Sequence, residues 1–327
     1  MGPPAPARLL VSEPGGAGGP PSGEPADACA REPAPAALLE LAIEAATGAG
    51  ALLAERARAG AERSVSAKST PTDLVSAADL ASERAIRELI SARRPHDGFL
   101  GEEGDHVQGS SGLSWVVDPL DGTVNFLFGI PQWSVSVAVR DAQRTLAGAV
   151  YDPNRHELFT ATADGPAQLA GPAGTVALAG RAGGDALGGG TGGTGGARAA
   201  GEGADAGVTG AAGDPDLLAA AMVATGFAYD ARVRAAQGEV LARLLPRVRD
   251  VRRFGSAALD LAWTAAGRYD AYFERTVKAW DVAAGVLVCE RAGLRVLELR
   301  EREHLPWGVL AAPAGLAEQL AGLVDGW

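Results

Sequence analysis

The 327-residue sequence predicts a mixed α/β protein made of two halves. Three observations carry this reading. A helical apolar stripe opens the ordered part of the chain. A run of short alternating strands follows a second helical pattern. After a Gly-rich interruption, helices and strands alternate to the end.

Taken in order, residues 1–35 are dominated by Pro, Gly and Ala. They hold too little apolar surface to offset ordering entropy, so a disordered tail is expected. Over 36–60, Leu38, Leu41, Ala45 and Leu52 fall on one helical face. A second helix is expected over 77–92, with Leu80, Ala81, Ile86, Leu89 and Ile90 inward. Residues 114–117 (SWVV) form a short apolar strand, and 133–139 alternate as a half-exposed strand does. Strands at 146–151 and 157–162, joined by the turn Asp152-Pro153-Asn154, complete a β-meander. Gly and Ala then dominate 165–213, which reads as a flexible insertion between an N-terminal half (36–164) and a C-terminal half (214–327). In the second half, 219–225 is a short apolar segment. Residues 233–245, 256–266, 282–291 and 314–324 read as helices, and 269–273 and 294–299 as strands.

Composition excludes several functions. Lys and Arg number 29 against 40 Asp and Glu, for a net charge of −11. Such acidity argues against nonspecific binding to nucleic acid or to anionic membranes. A phosphate substrate would need locally bound cations to overcome it. Cys29 lies in the tail and Cys289 in an apolar helical pattern, so neither a disulfide framework nor a Cys-based zinc site is expected. No stretch reads as the roughly 20 apolar residues of a membrane helix. The N-terminus lacks the basic-then-apolar order of a secretion signal. The expected location is the cytoplasm.

Several motif signals fail. Gly190, Gly192 and Gly195 spell a formal G-x-G-x-x-G, but glycine surrounds them where a strand and a helix should stand. His96, His106, His156 and His304 fall in no H-E-x-x-H and read as solvated surface residues. No serine sits in G-x-S-x-G.

The acids are placed differently. Asp118-Pro119-Leu120-Asp121-Gly122-Thr123 ends an apolar strand with two carboxylates three residues apart. Pro119 fixes φ, and Gly122 permits a tight turn. Such a turn can aim Asp118, Asp121 and the Leu120 carbonyl at one point, as hard oxygen ligands suited to Mg²⁺. It can equally be an ordinary turn closed by Asx hydrogen bonds. Gly101-Glu102-Glu103-Gly104 can be a solvated acidic loop, and Ser76-Ala77-Ala78-Asp79 a capping box. Asp281, in Trp280-Asp281-Val282-Ala283-Ala284-Gly285, can be an N-cap or a metal ligand held at a helix N-terminus.

Together, the order E-E, D-P-L-D-G-T and W-D-x-A-A-G resembles the inositol monophosphatase family of Mg²⁺-dependent, Li⁺-sensitive phosphatases. Supporting matches are KSTPTDLVSAAD (68–79), Thr225-Gly226-Phe227 and RRFGSAA (252–258). The likeness spans residues 38–162 and 215–312. It implies a layered αβαβα sandwich of the inositol monophosphatase and fructose-1,6-bisphosphatase type, a homodimer, and two or three Mg²⁺ ions. By resemblance, Glu102, Asp118 and the Leu120 carbonyl hold the first ion, and Asp118, Asp121 and Asp281 the second. Thr123 and Asp79 orient the attacking water, with Glu102 near a third, weaker metal. The N–H groups of Gly122 and Thr123 hold phosphate oxygens, and Ala257 and Glu274 meet ring hydroxyls. Arg252 supports subunit packing or the site, and Lys68 stands near its mouth. The long Gly-rich insertion and the N-terminal tail depart from the family pattern.

The expected activity is hydrolysis of myo-inositol monophosphate to inositol and phosphate. Histidinol phosphate ranks second, because family members acting on it more often carry Lys where Val124 stands. A non-catalytic, metal-binding regulatory protein is the reading from another class.

Overall fold

A computed structural model describes residues 34–59, 65–67, 74–104, 106–180 and 215–325. Helix α1 (Pro35–Arg58) begins on a proline, where the missing N–H costs nothing. The antiparallel pair β1 (Val65–Ala67) and β2 (Leu74–Ser76) leads into α2 (Ala77–Arg93). Next come β3 (Gly98–Gly101), β4 (Ser114–Asp121), the short α3 (Thr123–Leu127), β5 (Ser134–Arg140), β6 (Thr145–Asp152), β7 (Glu157–Thr162), β8 (Gln168–Gly171) and β9 (Gly174–Ala177). Strands β3 to β9 form one seven-stranded sheet in chain order. Only its β3/β4 pair is parallel.

The second half holds α4 (Pro215–Ala220), β10 (Met222–Thr225), α5 (Ala231–Leu244), a 3₁₀ turn (Leu245–Arg247) and β11 (Asp250–Arg252). It continues through α6 (Ala257–Ala265), β12 (Ala271–Arg275), α7 (Ala279–Arg291), β13 (Arg295–Leu299), β14 (Gly308–Ala312) and α8 (Ala314–Val324). Its five-stranded sheet has the order β11-β10-β12-β14-β13.

These elements stack as the five layers of an αβαβα sandwich. Helices α1 and α2 cover one face of the first sheet, packing Leu38, Leu41, Leu53 and Ile86 with Trp115, Val117, Val135 and Val137. The alternate residues Val116 and Ala138 face the other way, onto α6 and α7. Those two helices fill the space between the sheets and meet Ala224, Tyr272 and Val309 of the second sheet. Helices α5 and α8 close its far face over Val223, Phe273 and Leu310. The central layer is tight because its residues are small. A Cβ on Gly148 would stand 2.9 Å from the Ala284 Cα, and one on Gly285 would stand 2.7 Å from the Leu261 Cβ.

Several expectations change. Helix α1 is, by length and composition, long enough to cross a membrane, contrary to the sequence reading. It places Leu38, Leu41, Ala42, Ala45, Ala46, Ala49 and Leu53 in the core instead. The stretch expected as a flexible insertion, 165–213, starts with the β8–β9 hairpin, which extends the first sheet. Strand β4 does not stop at residue 117 but runs through the carboxylate motif to Asp121. The segment 219–225 divides into the end of α4 and β10. Strands β1, β2, β3, β11 and β14 and helix α3 went unread, and Leu80, expected inward on α2, is exposed. All four histidines are exposed, as expected. Most of the N-terminal tail with Cys29, Lys68, and the glycine run with Gly190, Gly192 and Gly195 lie outside the described residues.

Candidate functional site

In a regular strand, side chains three residues apart point to opposite faces. Asp118 and Asp121 escape that rule because β4 carries a bulge. Asp118 pairs with Ser136 and Asp121 with Ser134, so three steps on β4 oppose two on β5. The extra residue removes the parity difference and lets both carboxylates serve one site. Pro119 falls within the bulge, where it takes no N–H from the ladder. Its carbonyl accepts the Ser82 hydroxyl at 2.7 Å, which ties the bulge to α2.

The turn after β4 is equally constrained. Gly122 has φ +94°, a left-handed conformation, and its Cα faces the Gln132 carbonyl so closely that a Cβ would stand 3.0 Å away. Thr123 opens α3, and its hydroxyl lies 2.8 Å from Asp79 Oδ1 and 3.1 Å from the Leu120 carbonyl oxygen. Asp79 is the third residue of α2 and fully buried. The segment read as a capping box therefore delivers its acid to a partner 44 residues away.

Asp121 reaches into the other half. The backbone N–H groups of Ala257 and Ala258, at the start of α6, donate to it at 3.2 and 2.8 Å. Ser256 Oγ donates at 2.5 Å, and Ser134 Oγ lies 3.4 Å away. The amide of Asn125 closes the same seam, donating to the carbonyls of Gln132 and Phe254. Ser136 does so as well, through the Trp280 carbonyl at 3.2 Å.

Glu102 follows β3 in a turn held by a residue the sequence reading missed. Buried Glu83 of α2 accepts the Glu103 N–H at 2.8 Å and pairs with Arg87 at 3.0 Å. The Glu83 carboxylate fills the space where side chains on Gly101 and Gly104 would project, so a larger residue on either side of the two acids would have to push Glu83 aside. Asp281 is the third residue of α7, not its N-cap, and accepts the Lys278 N–H at 2.7 Å.

Electrostatics brings the four acids together. Burial pushes the Asp118 pKa well above the carboxylate range, and the charges of Glu102, Asp121 and Asp281 push it further. Asp281 is raised by burial and then by Glu102 and Asp121. Asp121 is raised to about 6 by burial, against the opposing hydrogen bonds from Ser256, Ala258 and Ala257. Among the described residues, no three acidic side chains already stand as a finished metal cluster. The donors share one electrostatic neighbourhood but do not yet share one coordination sphere. Their chemistry, hard carboxylate oxygens with Asp118 only 2% exposed, fits a hard divalent cation.

The substrate-side candidates lie on α6 and β12. Ala257 contributes a backbone N–H to Asp121. Glu274 of β12 accepts the Tyr272 hydroxyl at 3.0 Å, and burial raises its pKa to about 7 against the opposing charge of Arg253. Arg252 pairs instead with Asp250 at 2.6 Å on β11. Asp260 of α6 was not singled out from the sequence. It is 0% exposed, and neither of its oxygens makes a well-formed hydrogen bond, the Tyr269 hydroxyl interacting with it only weakly. No local signal marks it, because its helix is apolar on every side.

The profile of the inositol monophosphatase family matches residues 35–325. An inositol-1-monophosphatase of Mycobacterium bovis is 38% identical over 300 residues, covering 88% of this chain and 92% of that protein. A protein of Pasteurella multocida named Nus factor SuhB is 37% identical, covering 85% of this chain and 91% of its own. The crystal structure of the extragenic suppressor protein suhB from Bartonella henselae superposes with a TM-score of 0.70 at 30% identity, over 88% of this chain and 98% of that one. The chain belongs to the inositol monophosphatase family.

Proposed function

We propose that this protein is a Mg²⁺-dependent phosphatase that hydrolyses myo-inositol monophosphate to inositol and phosphate, acting as a cytoplasmic homodimer. The carrying observation is that, beyond burial, the charges of Glu102, Asp121 and Asp281 raise the proton affinity of Asp118, and those of Glu102 and Asp121 raise that of Asp281. Glu102, Asp118 and the Leu120 carbonyl would hold one cation, and Asp118, Asp121 and Asp281 another. When bound, such ions neutralise phosphate charge and lower the pKa of an attacking water.

The chain's own residues supply orientation. The Thr123 hydroxyl donates to Asp79, which leaves a lone pair on its oxygen to accept from the water. Asp79, buried and fixed on α2, is the proton acceptor behind it, and Glu102 flanks the same water. The N–H groups of Gly122 and Thr123 follow the left-handed turn and are offered to phosphate oxygens. Glu274 presents a carboxylate to two substrate hydroxyls, a charge-assisted pairing suited to a polyol.

The test is phosphate release from a panel of inositol 1-phosphate, histidinol phosphate, fructose 1,6-bisphosphate and adenosine 3′,5′-bisphosphate, with Mg²⁺. Inositol 1-phosphate is expected to give the highest kcat/KM. A tenfold preference for histidinol phosphate reassigns the substrate. The name Nus factor SuhB on a 37%-identical relative supports a second reading, a regulatory protein that keeps the fold. Equal phosphate release by wild type and Asp118→Asn would favour that reading.

A further inference from the structure

We infer that Gly226 and Tyr272 are positioning residues that set the Glu274 carboxylate and, through it, the preference for phosphate esters carrying ring hydroxyls. The inference rests on the reading of Glu274 as a polyol contact. Strands β10 and β12 run parallel, with Thr225 opposite Phe273. One step further on, Gly226 meets Glu274. A side chain on Gly226 would overlap the Glu274 carboxyl group, whose carbon and both oxygens are the three atoms it would strike. Gly226 is absent from the positive-φ glycines, so its backbone does not demand glycine. The space does.

Gly226 is thus the floor beneath the carboxylate, and Tyr272 is its tether. The tyrosine is 0% exposed, so its ring has no freedom to follow a displaced partner. Its hydroxyl donates to Glu274 Oε2. Burial and the nearby acids hold the phenol protonated, which keeps it a donor. Tyr272 and Glu274 are two positions apart on β12, so strand alternation puts both on one face. Gly226 belongs to the Thr225-Gly226-Phe227 motif, which the metal chemistry leaves unexplained.

The experiment compares inositol 1-phosphate with p-nitrophenyl phosphate, which has no ring hydroxyls, on the full chain with Mg²⁺. Tyr272→Phe is expected to raise KM for inositol 1-phosphate about fivefold to tenfold, the loss of one charge-assisted hydrogen bond. Gly226→Ala is expected to raise it at least about tenfold, since it displaces the carboxylate itself. For both variants, kcat/KM on p-nitrophenyl phosphate should stay within about twofold. In a Glu274→Ala background neither change should add more than about twofold, because the group they position is gone. Equal losses on both substrates, or additive losses on that background, overturn the inference. If Gly226→Ala does not fold, Tyr272→Phe decides. Should Glu274→Ala raise KM while Tyr272→Phe leaves it unchanged, the inference alone falls. Should Glu274→Ala leave inositol 1-phosphate untouched, the polyol reading falls with it.

Discussion

Asp121 and Ser256 lie 135 positions apart in the chain, yet the serine hydroxyl donates to the aspartate carboxylate at 2.5 Å. Asp121 ends a strand of the first sheet, and Ser256 precedes a helix between the sheets. The contact makes one acid of the site conditional on the docking of both halves.

Ser256→Ala is therefore expected to weaken Mg²⁺ activation by about 10- to 100-fold, the usual cost of losing a group that orients a ligand. Phosphate release measured against Mg²⁺ concentration checks this. The two backbone N–H donors should keep the variant folded. An unchanged activation midpoint would show that the serine does not orient Asp121.

Asp118→Asn is expected to move activity and metal-free stability in opposite directions. Phosphate release should fall at least about a hundredfold, since both proposed cation sites draw on Asp118. Without Mg²⁺ the variant should melt higher than wild type, because it removes the buried charge on which Glu102, Asp121 and Asp281 converge. Mg²⁺ should raise the wild-type Tm and have little effect on the variant. A variant that melts lower in metal-free buffer would contradict the repulsion argument.

Thr123→Ala tests the proposed water-orienting pair. It deletes the hydroxyl facing Asp79 and leaves the backbone turn intact. A fall in kcat of about 10²- to 10⁴-fold with little change in KM is expected for a group acting on proton transfer. A rise in KM alone would make Thr123 a binding residue.

Asp260 predicts a pH dependence of stability. Burial and repulsion from Glu274 and Asp121 push its pKa well above the usual carboxylate value, against smaller opposing effects from Tyr269 and Arg253. An acid raised in the fold contributes no penalty below its unfolded pKa. As pH climbs from there toward the folded pKa, stability is lost at roughly 1.4 kcal/mol per pH unit. Asp260→Asn removes that loss. In metal-free thermal melts the variant should gain on wild type as pH rises above the ordinary carboxylate range, and parallel curves would refute the assignment.

The acids of the candidate site were legible because each sits in a short motif whose own turn chemistry points it. The bulge holding Asp118 and Asp121 is prefigured by Pro119 and Gly122. The strand expected over 157–162 matches β7 end to end, and the helix expected over 314–324 matches α8. Strand β14 was not legible. Its GVLAA is buried on both faces between helical layers, and such a strand has no alternation to read. Glu83 passed unnoticed as one more charge on a helix whose exposed face is full of them. Its role comes from the Glu102 turn folding back against it.

By itself the sequence determined the kind of chemistry, through carboxylates at the ends of apolar elements and the small residues of W-D-V-A-A-G that let α7 pack closely. Only the tertiary structure decided which groups orient those carboxylates. Ser256 and Glu83 act across contacts between different elements, and a hydrogen bond between distant segments leaves no periodicity in the chain that makes it.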